Sequence, residues 1–191
     1  MDIIRLILLE DDLDFAFLVK KYIAEDKQLS LVGIADNRIT GVQMAKTLQP
    51  NIALIDLNLT DGQLSGIKAA HDIRTSTDTK VLLLTSVERE NIIIEAEKQA
   101  YASAYVKKSS FRTLKAQIHE SAFSLTPTAL SIKTLLLSDL TETERYVVRL
   151  IMGEEISNNS SPKTIANQKT SILKKLGVRN SDELIRVLKN F

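Results

Sequence analysis

Short runs of Ile, Leu and Val alternate with amphipathic stretches along the first 124 residues. The apolar runs fall at 3–9, 31–35, 52–55, 80–84 and 104–107. Runs of that length, bounded by polar residues, suit buried strands. Stretches with helical spacing follow at 13–25, 39–48, 66–74, 89–100 and 111–123. Five strands alternating with five helices predict an α/β fold, a doubly wound five-stranded parallel sheet. Right-handed crossovers then place helices on both faces. The pattern stops at Ser124. Residues 125–139 hold Pro127 and several Ser and Thr and read as a linker, whose Ile132, Leu135, Leu136 and Leu137 suit a short connecting helix. A small all-α unit is expected over 140–191. Thr141 and Glu144 form a capping box ahead of an apolar stripe at Tyr146, Val147, Leu150 and Ile151, and Gly153 fits a stop. A second helix is predicted over Pro162–Leu176, capped by Ser161 and ended by Gly177, and a third begins at Ser181. Three short helices in about fifty residues bury little surface by themselves, so support from the N-terminal half or from a partner is expected.

The strand ends carry the chemistry. Glu10 and Asp11 follow the first apolar run, Asp56 the third, Thr85 the fourth and Lys108 the fifth. In an open parallel sheet, ligands bind beyond the carboxyl ends of the strands, so these residues are expected to share one pocket. Three carboxylates are hard oxygen donors that suit Mg²⁺, which keeps waters and adds phosphate oxygens. A carboxylate beside such a cation can attack an activated phosphoryl group and form an acyl phosphate. An ammonium and a hydroxyl then stabilise the oxygens of the transferring group. Asp12 and Asp14, in the same acidic run, read as cap or turn residues.

The segments "LILLEDD", "ALIDLNLTDG", "VLLLTS" and "AYVKKSS" make residues 1–124 resemble the flavodoxin-like receiver domain of two-component response regulators. The resemblance implies that Asp56 is the phosphoacceptor. It implies that Glu10, Asp11, Asp56 and the backbone carbonyl of Asn58 hold Mg²⁺. Thr85 becomes the switch hydroxyl, Tyr105 the switch aromatic, and Lys108 the phosphoryl-contacting lysine. Lys108 is preferred to Lys107 because it stands three residues after the aromatic. A sensor histidine kinase or a small phosphodonor would supply the phosphate. No enzymatic activity is expected beyond self-phosphorylation and self-dephosphorylation. The family's readout surface, formed by the fourth helix, fifth strand and fifth helix, is a two-state element biased by a local charge. Three departures touch loop shape: Thr60 replaces the usual Pro, Gly66 comes later than the usual Gly, and "YASAY" lacks the common Gly before the fifth strand. Phosphatases of the haloacid dehalogenase type share several of these groups, but they need a second Asp where this chain has Asn58.

The segments "LTETERYVVRLIMGEEISN" and "SPKTIANQKTSILKKLGVRNSDEL" resemble the LuxR/NarL-type helix-turn-helix, which implies a recognition helix in the major groove. Lys163, Asn167, Thr170 and Lys174 share one face of that helix, and Ile165, Ile172 and Leu176 lie opposite. Lys175 and Arg179 would add phosphate contacts without sequence preference. The resemblance implies promoter DNA as partner and a homodimer on paired half-sites. Ala166 and Gln168 stand where the family often has Lys and His. The chain advances 11 residues from Gly153 to Thr164. The resemblance implies about seven more near 154–161, carrying the scaffold helix and its turn, and at 3.6 residues per turn "EEISNNSSP" cannot supply a two-turn helix plus a turn. Either that helix is lost, and the tail signals through protein contacts instead of DNA, or residues are missing from this stretch. The close match of both flanks favours the second.

Composition is that of an ordinary globular chain, with a net charge of +1 over 191 residues and 44% hydrophobic positions. The charge is uneven, with seven Lys/Arg against two acids over 161–191. The absence of cysteine excludes disulfides, thiolate metal sites and a Cys nucleophile, and fits a cytoplasmic location. Arg5 and the acids at 10–12 interrupt the apolar N-terminus, which reads as a strand and not as a signal peptide. No membrane association is expected. His71 and His119 have no partner at ligand spacing and read as surface or packing residues.

Overall fold

A computed structural model describes residues 3–62, 64–86, 90–155 and 161–191. The apolar runs form β1 (Ile4–Leu9), β2 (Leu29–Ala35), β3 (Ile52–Asp56), β4 (Lys80–Thr85) and β5 (Ala104–Lys107). All pairings are parallel, in the order β2-β1-β3-β4-β5. The strand order reverses between β1 and β3, which places the crevice of the fold at their carboxyl ends. The helices between them are α1 (Leu13–Ala24), α2 (Arg38–Leu48), α3 (Ser65–Ser76), α4 (Glu90–Ala100) and α5 (Leu114–Phe123). Alternation within β1 feeds two cores. Ile7 and Leu9 join Ala45 of α2, Ile67 and Ile73 of α3 and Ala96 of α4. Leu6 and Leu8 join Val19 and Ile23 of α1 and Leu114 and Ile118 of α5 on the other face. Each core is therefore one layer of helices on one side of the sheet.

Two expectations for this half need correction. The helix expected from residue 111 starts later, at Leu114, behind a 3₁₀ turn over Lys108–Thr113. Its two serines compete locally with helical bonding, and Thr113 Oγ1 donates to the Ser110 carbonyl at 2.9 Å. Of the two acids read as cap or turn residues, Asp12 caps α1 by accepting from the amides of Asp14 and Phe15, both at 3.0 Å, while Asp14 lies inside the first turn of the helix.

The linker is more structured than a short connection. It forms α6 (Pro127–Ser138), capped by Thr126, followed by α7 (Glu142–Ile151), α8 (Pro162–Leu176) and α9 (Ser181–Lys189). The capping box of α7 is complete, with the Thr141 amide 2.8 Å from Glu144 Oε2 and the Glu144 amide 3.2 Å from Thr141 Oγ1. Between α7 and α8 the described residues, 152–155 and 161, carry no helix, and 156–160 lie outside the described residues. No helix among the described residues is long and apolar enough to cross a membrane.

The helical unit leans on the N-terminal half, as its small size requires. One apolar cluster contains Ile132 and Leu136 of α6, Val147 of α7, Ile172 and Leu176 of α8, and Leu184 and Val187 of α9, together with Tyr101 from the α4–β5 turn. Tyr101 adopts a φ of 50° in the segment that lacks the common glycine. A left-handed tyrosine costs about 1–2 kcal/mol, and burial of its ring offsets that cost. Its hydroxyl donates to the Leu176 carbonyl at the end of α8. Arg74 of α3 is fully buried beside it, with Nε donating to the Tyr101 carbonyl at 3.0 Å and Nη2 to the Val187 carbonyl of α9 at 3.3 Å. Burial pushes the Arg74 guanidinium down to about 10, which still leaves it charged at neutral pH. Arg186 Nη1 reaches the Thr75 carbonyl at 2.7 Å, and His71 Nε2 lies 3.0 Å from the Gly177 carbonyl. His71 is thus an interdomain contact, and His119 pairs with Asp26 at 2.8 Å on the far side.

Tyr101→Gly relieves the backbone but removes the ring from the shared cluster. The net expected cost is about 2–4 kcal/mol, since deleting a buried aromatic costs about 3–5. Urea unfolding followed by circular dichroism should show the helical unit melting at lower denaturant than the sheet domain. An unchanged single transition contradicts the coupling.

Candidate functional site

The sheet register brings the strand-end residues together. Glu10 directly follows β1, Asp56 ends β3, Thr85 ends β4 and Lys108 directly follows β5. Lys108 is central. Its Nζ lies 2.9 Å from Glu10 Oε1 and 3.1 Å from Asp56 Oδ2. Lys107 instead stands opposite Thr85 in the β4–β5 ladder. Burial pushes the carboxyl groups of Glu10 and Asp56 up from their ordinary values, and the Lys108 ammonium opposes this in both. Burial alone would lower the pKa of Lys108, but the two carboxylates outweigh it and raise it.

Asp11 completes an acidic group. One carboxylate oxygen from each of Glu10, Asp11 and Asp56 lies within 4.8 Å of the others. Glu10 Oε2 is buried and lies 2.7 Å from the Lys108 ammonium, in an ion pair without a well-aligned hydrogen bond. A hard divalent cation fits this donor set: three carboxylates converge, and one buried oxygen has unused bonding capacity.

The loop after β3 explains its own glycine. A Cβ on Gly66 would lie 1.8 Å from the Asp56 carbonyl oxygen, so α3 can start against the backbone of Asp56 only with glycine there. The Asn58 side chain ties the loop by accepting from the Leu64 amide at 3.2 Å. Its backbone carbonyl follows two residues after Asp56, as the metal reading requires. Thr85 is buried at the neighbouring strand end. Tyr105 lies outside the pocket, on β5, with 37% of its surface exposed.

The second set of candidates lies on α8. Lys163, Asn167, Thr170 and Lys174 are all exposed, while Ile172 and Leu176 are buried and Ile165 is half-buried. The two-faced helix is therefore as read. Lys175 and Arg179 need revision. Lys175 Nζ pairs with Glu144 Oε2 at 2.6 Å and so fastens α8 to α7. Hydrogen bonds from Lys175 and Ser171 hold the Glu144 carboxyl down to about 2. The Arg179 guanidinium lies 2.6 Å from Glu183, although its side chain is 77% exposed. Both cations are engaged within the chain, so phosphate contacts from them must compete with these pairs.

Known proteins resemble this chain in sequence and fold. The sequence profile of the response regulator receiver domain matches residues 6–119. The transcriptional regulatory protein YdfI of Bacillus subtilis is 26% identical over 203 aligned positions, covering 96% of this chain and 94% of that protein. The receiver domain of the putative response regulator NarL from Mycobacterium tuberculosis superposes with a TM-score of 0.58 at 25% identity, covering 64% of this chain and 98% of that one. RcsB of Salmonella enterica serovar Typhimurium, bound to promoter rprA with a phosphomimetic, shares the fold over 98% of this chain and 99% of its own, with a TM-score of 0.55 at 20% identity.

Raised carboxyl pKa values make protons competitors of a cation here. Mg²⁺ affinity measured by calorimetry should fall as the pH drops from about 7 to about 5, where ordinary exposed carboxylates remain charged. Asp11→Asn should weaken it about tenfold. Affinity that is flat with pH, or indifferent to Asp11→Asn, contradicts the assignment of these residues as ligands.

Proposed function

The chain belongs to the response regulator receiver family, and we propose from this that Asp56 accepts a phosphoryl group and that the C-terminal helices convert the event into altered transcription at promoter DNA. The convergence of Glu10, Asp11 and Asp56 around the Lys108 ammonium carries the reading. A carboxylate oxygen of Asp56 attacks phosphorus as the bond from phosphorus to the donor breaks. The bonding pair leaves with the donor, the imidazole nitrogen of a kinase phosphohistidine or the carboxylate oxygen of a small acyl phosphate. Mg²⁺, held by Glu10, Asp11, Asp56 and the Asn58 carbonyl, would supply positive charge to the phosphoryl oxygens. Lys108 and Thr85 contact those oxygens from the fifth and fourth strand ends. Tyr105, exposed in this structure, follows Thr85 inward when the group is in place. In this reading the chain turns over no other substrate and works in the cytoplasm.

The output reading rests on the exposed polar face of α8 and on full-length likeness to a transcriptional regulatory protein. Lys163, Asn167, Thr170 and Lys174 meet the major groove, and a homodimer reads paired half-sites. Lys174 and Lys163 belong to the phosphate-contacting set, because a primary ammonium gives charge without a fixed donor pattern.

The intact chain, incubated with Mg²⁺ and a small acyl phosphate, should enrich a two-half-site sequence from a random duplex pool. Its affinity for that sequence should fall with added salt. Lys163→Ala should flatten the slope of log affinity against log salt by about 0.9, the value of one phosphate contact. No enrichment and no retardation, with or without the phosphodonor, contradicts the DNA reading and leaves the tail as a protein-contact module.

A further inference from the structure

Lys108 has a third neighbour that the phosphoryl chemistry does not explain. Its Nζ lies 4.4 Å from the ring centroid of Phe15, in the first turn of α1. The ammonium thus faces Glu10, Asp56 and an aromatic face, and its side chain is only 17% exposed. Cations are attracted to the face of an aromatic ring, and more strongly when water is partly excluded.

The three contacts differ in what happens to them during the reaction. Glu10 and Asp56 are the groups a cation would claim, and Asp56 also becomes an acyl phosphate. Both anchors of the ammonium are therefore weakened when it is needed at the phosphoryl oxygens. The ring of Phe15 carries no charge, binds no metal and takes no phosphate. Of these three contacts it is the one that the reaction leaves unaltered. The ring is also held in place. Asp12 Oδ1 accepts from the Phe15 amide at 3.0 Å, which fixes its backbone to the loop that carries Glu10 and Asp11. Phe111 meets the Phe15 ring edge-on at 5.7 Å and 67°. Tyr22 packs on Phe111 at 4.6 Å, and its hydroxyl donates to the Arg112 carbonyl at 2.8 Å. This column joins α1 to the turn that begins with Lys108.

We propose that Phe15 is a positioning residue for phosphoryl transfer: its ring keeps the Lys108 ammonium aimed into the pocket while Glu10 and Asp56 exchange it for cation and phosphoryl group. The inference rests on the reading that Asp56 is the phosphoacceptor, but its geometric part can be read without that reaction.

Two measurements test it on the full chain, using Phe15→Leu, which keeps apolar bulk, and Phe15→Tyr, which keeps the ring face. In proton–carbon spectra of the unphosphorylated protein, the ring current over Lys108 should shift its side-chain methylene protons upfield. That shift should vanish in Phe15→Leu and persist in Phe15→Tyr. With saturating Mg²⁺ and a small acyl phosphate, Phe15→Leu should take up phosphate about two- to fivefold more slowly, the range expected of one half-desolvated cation–π contact. Phe15→Tyr should restore the rate, and urea midpoints identify any general loss of folding. Equal rates in the two variants, or a Lys108 shift that Phe15→Leu leaves unchanged, overturn the proposal. A wild-type chain that takes up no phosphate instead contradicts the function of Asp56, while the spectra still report on the contact.

Discussion

The ammonium of Lys108 between Glu10 and Asp56 is the interaction around which the N-terminal half is organised. Two buried carboxylates would repel, and burial already drives both toward protonation. One cation from the far end of the sheet makes their proximity tolerable. To deliver it, the chain must set β5 beside β4, and β4 beside β3, in a register that aligns their carboxyl ends. The requirement reaches the backbone, because α3 can approach Asp56 only through Gly66. Breaking one member of such a buried set is far costlier than the net worth of the pair, since it strands an uncompensated charge. The same arrangement is suited to change partners. A divalent cation and a phosphoryl group can take over the charges that Lys108 now balances.

The link from that pocket to the helical unit is a second, separate contact. Tyr101 and Arg74 lie at the turn before β5 and on α3, and both reach into the C-terminal helices through backbone carbonyls. The small unit gains from them, and from α6, the apolar surface that three short helices lack. Lys163, Asn167 and Thr170 of α8 stay exposed in this docked arrangement, while Lys174 also lines the cleft between α8 and the sheet domain, beside His71 and Tyr101.

The parallel sheet was legible from the alternation of apolar runs, and β5 matches its expected bounds. The pocket was legible because strand ends in such sheets converge, so the position of a residue in the pattern implied its neighbours. The capping box at Thr141 and the cap of α8 at Ser161 followed from local rules of the same kind. Long-range partners were not legible. Nothing local marks Arg74 for burial, Lys175 for Glu144 or His71 for the Gly177 carbonyl, because each depends on how separate elements pack. Phe15 left a faint signal: an aromatic placed five residues past the first strand-end acid, Glu10, at a helix start. Its ring could be assigned to Lys108 only from the structure. Tyr101 was visible solely as a missing glycine, and its positive φ supplies the reason that absence matters.

Asp56 is the acceptor on which pocket and output both depend, and the mass of the intact protein tests that most directly. With Mg²⁺ and a small acyl phosphate, the wild-type chain should gain the mass of one phosphoryl group. The gain should disappear without Mg²⁺ and in Asp56→Asn. Persistence of the full gain in Asp56→Asn would contradict the account, because the phosphate would then sit on another residue.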